Sequence, residues 1–108
     1  MVKRKNDKGR VFMEKKLFES AKELIKAILL LENEEECANF LEDICTVKEI
    51  QDLSLRLTVA SELKKGKSYQ DISKETGAST TTISRVNRCL VYGSGGYEKM
   101  LGKLSENN

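Results

Sequence analysis

The stretch that most constrains this chain is residues 68–91, SYQDISKETGASTTTISRVNRCLV. Ser68 carries the side-chain oxygen that accepts an unpaired amide hydrogen in a first helical turn. Tyr69 to Thr76 then shows a short helical pattern anchored by Ile72. Gly77 follows, the residue that enters the left-handed conformation at least steric cost and so ends helices. Ser79 or Thr80 can cap a second helix, whose apolar positions Ile83, Val86 and Leu90 recur at steps of three and four. The link between the two is too short for them to relax into an antiparallel hairpin. A steep crossing is expected, as in a helix-turn-helix, whose second helix enters the major groove of DNA.

The outward residues suit that role. The second helix presents Thr80, Thr81, Thr82, Ser84, Arg85, Asn87 and Arg88, and no acidic residue falls between Gly77 and Tyr97. Ser73 is small where the two helices must approach, and Ile72, Ala78, Ile83 and Val86 stand where the pair needs a shared core. A glycine between two amphipathic helices is common in all-α proteins, so it is the hydroxyl, amide and arginine face that points to DNA. Gln70, Ser73, Thr80, Thr81 and Ser84 are assigned to base edges. Lys67, Tyr69, Lys74 and Arg88 are assigned to phosphates, and Arg85 to either.

Charge is distributed accordingly. Residues 1–16 carry a local +5, residues 17–63 a local −7 and residues 64–92 a local +4, within a net charge of +2. An acidic body with a basic end and a basic reading unit approaches phosphate with one face only. The 108 residues suit one domain. With no histidine, the three cysteines (Cys37, Cys45, Cys89) lack both a zinc-site partner and an activating base. They read as buried free thiols in a reducing compartment. The carboxylates cluster at helix starts, and Gly93 to Gly96 lacks the lysine and strand of a phosphate loop. No metal, cofactor or catalytic site is expected, and the chain does not read as an enzyme. The basic N-terminus has no signal-peptide pattern and the longest apolar run is too short to span a membrane. A cytoplasmic, nucleoid-associated bacterial protein without a membrane partner is expected.

Along the chain, residues 1–10 form a flexible basic arm able to add phosphate contacts. From about Val11 to Leu31 the pattern is helical, with an apolar face that broadens until Leu29–Leu31 leave no polar side. So small a chain covers such a helix poorly, which points to burial by a second subunit. A second helix spans Asn33 to Ile44, capped by Asn33, with Cys37, Phe40, Leu41 and Ile44 inward. Thr46-Val-Lys-Glu49 has the form of a capping box. The helix it opens runs to Lys65 with Ile50, Leu53, Leu57, Ala60 and Leu63 as its core stripe, and Gly66 ends it. Beyond the glycine-rich breaker, Tyr97 to Leu104 forms a last helix with Tyr97, Met100, Leu101 and Leu104 on one side, and 105–108 fray.

The helix order and the stretch Gly77-Ala78-Ser79-Thr80-Thr81-Thr82-Ile83-Ser84-Arg85 resemble the Trp repressor superfamily. Within it, residues 11–104 look like the Trp-repressor-like group labelled YerC/YecD, most specifically over Cys45 to Leu90. The resemblance implies an all-α, six-helix fold in one domain of residues 11–104, forming an intertwined homodimer that reads a palindrome in double-stranded DNA. It also implies a ligand site, for tryptophan or another small effector. Thr46, Arg56 and Arg85 match the residues that hold the corepressor. Val86 stands where the corepressor-binding members have glycine, and Cys89 where they have a hydroxyl. The chain is also one residue shorter around Gly66 and Lys67. A DNA-binding repressor is the function expected, with a small-molecule-gated sensor or a helical protein-interaction module without DNA binding as alternatives.

Overall fold

A computed structural model describes residues 13–107 of the chain. The basic arm assigned to residues 1–10 lies outside them, as do Val11, Phe12 and Asn108. The described residues form seven helices and no strand: α1 (Lys15–Ser20), α2 (Lys22–Leu29), α3 (Glu34–Ile44), α4 (Val47–Lys64), α5 (Tyr69–Thr76), α6 (Thr80–Tyr92) and α7 (Gly96–Glu106). The all-α reading is borne out. The first helical stretch differs from its expectation, because it is broken into α1 and α2 at Ala21, whose ψ is 2°. The Leu17 carbonyl there accepts both the Ala21 N–H and the Ser20 hydroxyl, each at 2.9 Å. A serine hydroxyl bonded to the helix backbone competes with the regular ladder and bends it. At the other end, α7 includes Ser105 and Glu106, two positions assigned to a frayed tail.

Helix boundaries follow local side-chain hydrogen bonding. Asn33 Oδ1 accepts the Glu36 N–H at 2.8 Å. Thr46 and Glu49 form the reciprocal box: Thr46 N–H donates to Glu49 Oε1 at 2.8 Å, and Glu49 N–H donates to Thr46 Oγ1 at 3.1 Å. Ser68 caps α5 through the Asp71 N–H, and Ser79 caps α6 through the Thr82 N–H, both at 3.1 Å. Gly77 ends α5 at φ 79°, a left-handed conformation that costs an L side chain about 1–2 kcal/mol. Gly93 ends α6 for a different reason. A Cβ there would lie 2.3 Å from the Cys89 carbonyl oxygen.

The chain divides into two compact units, one ending at Ile50 and one running from Gln51, so the boundary falls inside α4. In the first, none of the described residues is buried. Leu17, Phe18, Leu24 and Ile28 are exposed, and Leu29 and Leu30 at the end of α2 are 78% and 74% exposed. Ile44, expected to face inward, is also exposed.

The second unit has a core. Val59, Ala60, Ile72, Ala78, Ile83 and Val86 are buried, and Leu55, Leu63, Leu90, Tyr97 and Leu101 pack against them. The four residues assigned to the core of the helix-turn-helix are all in it. The stripe assigned to α4 is borne out at Ala60 and Leu63 and corrected at Leu53 and Leu57, which are exposed while Leu55 and Val59 face the core. Apolar residues occupy several sides of α4, so its periodicity does not single out one face.

Candidate nucleic-acid interface

Helices α5 and α6 are joined by Gly77, Ala78 and Ser79 alone, and side chains of α5 fix this turn from within. Ser73 Oγ donates to the Ala78 carbonyl at 2.7 Å. Thr76 Oγ1 donates to the Ile72 carbonyl at 2.6 Å and accepts the Ala78 N–H at 3.1 Å. Both backbone polar groups of the buried Ala78 are thereby satisfied, as a turn out of contact with water requires. Thr76 was not singled out from the sequence. The signal was a hydroxyl pair three residues apart just before a helix-ending glycine.

The locked turn sets the start of α6 beside the start of α5. Tyr69, Thr80, Thr81, Ser84, Arg85 and Arg88 line one open groove of about 650 Å³. Gln70, Asp71, Ser73, Lys74 and Thr80 line a second depression of about 530 Å³, with Thr80 common to both. Nine of the ten residues assigned to bases or phosphates from the sequence therefore lie in two adjoining hollows. The first contains no acidic side chain and two arginines, so an anion is favoured there. The second includes Asp71, which the sequence reading had left out. Asp71 sits in the first turn of α5, where the helix dipole accounts for it. Thr82 turns away from the groove, its hydroxyl accepting from Ser79 Oγ at 3.1 Å.

Lys67 is placed elsewhere. Its Nζ lies 2.9 Å from Glu62 Oε2 and 2.8 Å from Glu75 Oε2. These two carboxylates raise the lysine well above its ordinary pKa, the close pairing with Glu62 contributing most. The same pairing holds the Glu62 carboxyl below the usual glutamate range, with Lys65 adding to the effect.

The residues matched to a corepressor site have separate occupations. Thr46 forms the cap of α4. The Arg56 Nε donates to the Asp52 backbone carbonyl at 3.4 Å. Arg85 lines the acid-free groove, and Val86 is 2% exposed, its side chain part of the core. Burial raises the Tyr97 phenol, with the Arg56 charge opposing the shift and Cys89 adding to it. All three thiols are free, but none is buried as expected: Cys37 and Cys45 are half-buried and Cys89 is exposed on α6. Among the described residues no helix is long and apolar enough to cross a membrane.

With this geometry in place, the Trp repressor protein family model matches residues 19–105, most of the chain. The chain belongs to the Trp repressor family. Within that family it falls in the Trp-repressor-like YerC group. It is 51% identical over 84 residues to the uncharacterized protein YerC of Bacillus subtilis (strain 168), covering 78% of this chain and 81% of that one. A crystal structure of a TrpR-like protein from Eubacterium eligens ATCC 27750 superposes with a TM-score of 0.77 at 46% identity, covering 81% of this chain and 90% of that one. A Staphylococcus aureus protein provisionally assigned as a Trp repressor gives a TM-score of 0.80 at 47% identity, covering 87% and 96%. The family is one of DNA-binding transcription regulators and not of enzymes.

Proposed function

We propose that this chain is a sequence-specific transcriptional repressor that reads a palindromic operator as a homodimer. The observation that carries the reading is the acid-free groove at the start of α6, where three hydroxyl side chains adjoin Tyr69, Arg85 and Arg88. Hydroxyls donate and accept, so Thr80, Thr81 and Ser84 suit base edges, with Gln70 beside them. Arg88, Tyr69 and Lys74 suit the flanking phosphates, and Arg85 suits either partner. Ser73 reaches a base only through its remaining lone pair, since its proton is engaged by the turn.

The homodimer is supported by residues 13–50, where Leu17, Phe18, Leu24, Ile28, Leu29 and Leu30 are left exposed in one chain. Such a protein acts on the nucleoid, in the bacterial cytoplasm. Tryptophan is not required in this proposal, because Val86 fills the core at the position where corepressor-binding relatives have glycine.

The test is a titration of the purified protein against pooled genomic fragments across a salt series, with and without tryptophan. Selection of a palindromic subset without ligand is the expected outcome. Binding that appears only with tryptophan would make the chain a gated sensor. No selection under either condition would leave a protein-interaction module.

A further inference from the structure

Between α4 and α5 run only Lys65, Gly66, Lys67 and Ser68. Gly66 is left-handed at φ 85°, and the link is tied to the end of α4 by the Gly66 N–H on Leu63 O (3.0 Å) and the Lys67 N–H on Glu62 O (3.3 Å). This conformation aims the Lys67 side chain back across the junction. Its ammonium joins Glu62 of α4 to Glu75 near the end of α5, while Lys65 takes the other Glu62 oxygen at 3.5 Å. Glu62 is only 16% exposed in its side chain, and its Oε2 is almost wholly out of solvent. If Lys67 swung out to a phosphate, Glu62 Oε2 would lose the ammonium 2.9 Å from it and Glu75 Oε2 the one 2.8 Å from it, so the phosphate competes with two carboxylates for one charge.

We propose that Lys67, Glu62 and Glu75 form a positioning clamp. It holds the reading head on the C-terminal half of α4 in its DNA-competent orientation, and Lys67 itself makes no phosphate contact. The inference rests on the DNA-binding reading above. It gives Lys67 a role other than the phosphate contact assigned from charge and position, and it makes two acidic residues favourable to binding an anion.

That last consequence has a sign opposite to simple electrostatics. Neutralising an acidic residue near DNA relieves repulsion and tightens binding, whereas loosening the clamp lowers the fraction of heads in the competent orientation and weakens it by that fraction. The experiment measures affinity for the selected operator duplex over a salt series for Glu62→Gln, Glu75→Gln, Lys67→Met and Lys67→Arg. Glu98→Gln serves as control, since it removes the same charge from the separate Lys64–Glu98 pair (3.1 Å).

Glu62→Gln and Glu75→Gln should bind about three- to tenfold more weakly than Glu98→Gln. Lys67→Met should weaken binding with an unchanged salt slope, and Lys67→Arg should restore it. Amide exchange on the DNA-free protein gives an independent readout: residues 66–79 should exchange faster in Glu62→Gln than in Glu98→Gln. The clamp is overturned if Lys67→Met lowers the salt slope by about one per protomer. It is also overturned if both glutamine variants bind at least as tightly as the control. Should wild-type protein select no DNA, the functional reading fails, and the exchange comparison alone decides the clamp.

Discussion

Arg88 and Thr81 line the same groove and should fail in different ways. Replacing Arg88 by Ala removes a phosphate contact, which carries no sequence information. Affinity should drop for every DNA site alike and the salt slope should flatten by about one unit per protomer, read from titrations between low and moderate salt. Thr81→Ala should leave the slope intact and relax preference at one base pair of each half-site, by about 1 kcal/mol, read by binding to a panel of single-base operator variants. If Arg88→Ala leaves the slope unchanged, its assignment is wrong. Glu62 gives a prediction in pH. Lys67 holds its carboxyl below the ordinary glutamate value of about 4.3. A group depressed on folding contributes stability that is complete above its unfolded value and is lost as pH falls through the folded one. Thermal unfolding followed by circular dichroism should therefore show wild-type Tm falling more steeply than that of Glu62→Gln below about pH 5.

Among the elements, the α5–α6 turn is the most exacting. Gly77→Ala should lower stability by about 1–2 kcal/mol in urea titrations, because φ 79° is strained for an L side chain whatever room surrounds it. Gly77→Asn should cost less, since asparagine tolerates that conformation. Equal losses from both would mean that the turn depends on something other than backbone strain. The caps of α3, α4, α5 and α6 were all legible in advance, because each bonds a side chain to an amide three residues away. Ser79 was one of two candidates for α6, and the capping bond decides for it. The break at Ala21 was not legible. It depends on a serine hydroxyl finding the Leu17 carbonyl, and that residue type is equally at home in an unbroken helix.

For the whole molecule, the decisive feature is that no side chain of residues 13–50 is fully buried while Leu17, Leu24, Ile28, Leu29 and Leu30 stand exposed. Large exposed apolar side chains mark an interaction site where they gather into one patch. Sedimentation of the wild-type protein should give twice the 12.2 kDa chain mass. Paired Leu29→Glu and Leu30→Glu substitutions should abolish that species and, with it, operator binding. A monomeric wild-type protein, or a double variant that still dimerises, would count against the homodimer.

The sequence alone determined what depends on neighbours a few residues apart. It specified the helix-turn-helix, with Ile72, Ala78, Ile83 and Val86 inside and Thr80, Thr81, Ser84 and Arg88 outside, since three- and four-residue spacing orders a short amphipathic helix completely. Tertiary structure decided what depends on contacts between helices. It chose Leu55 and Val59 over Leu53 and Leu57 to join Ala60 and Leu63 on the core-facing side of an α4 that is apolar on several sides. It also turned Lys67 toward carboxylates five residues before and eight residues after it. Charge on a lysine is visible in one dimension, but which anion neutralises it is settled only when the chain brings two helices together.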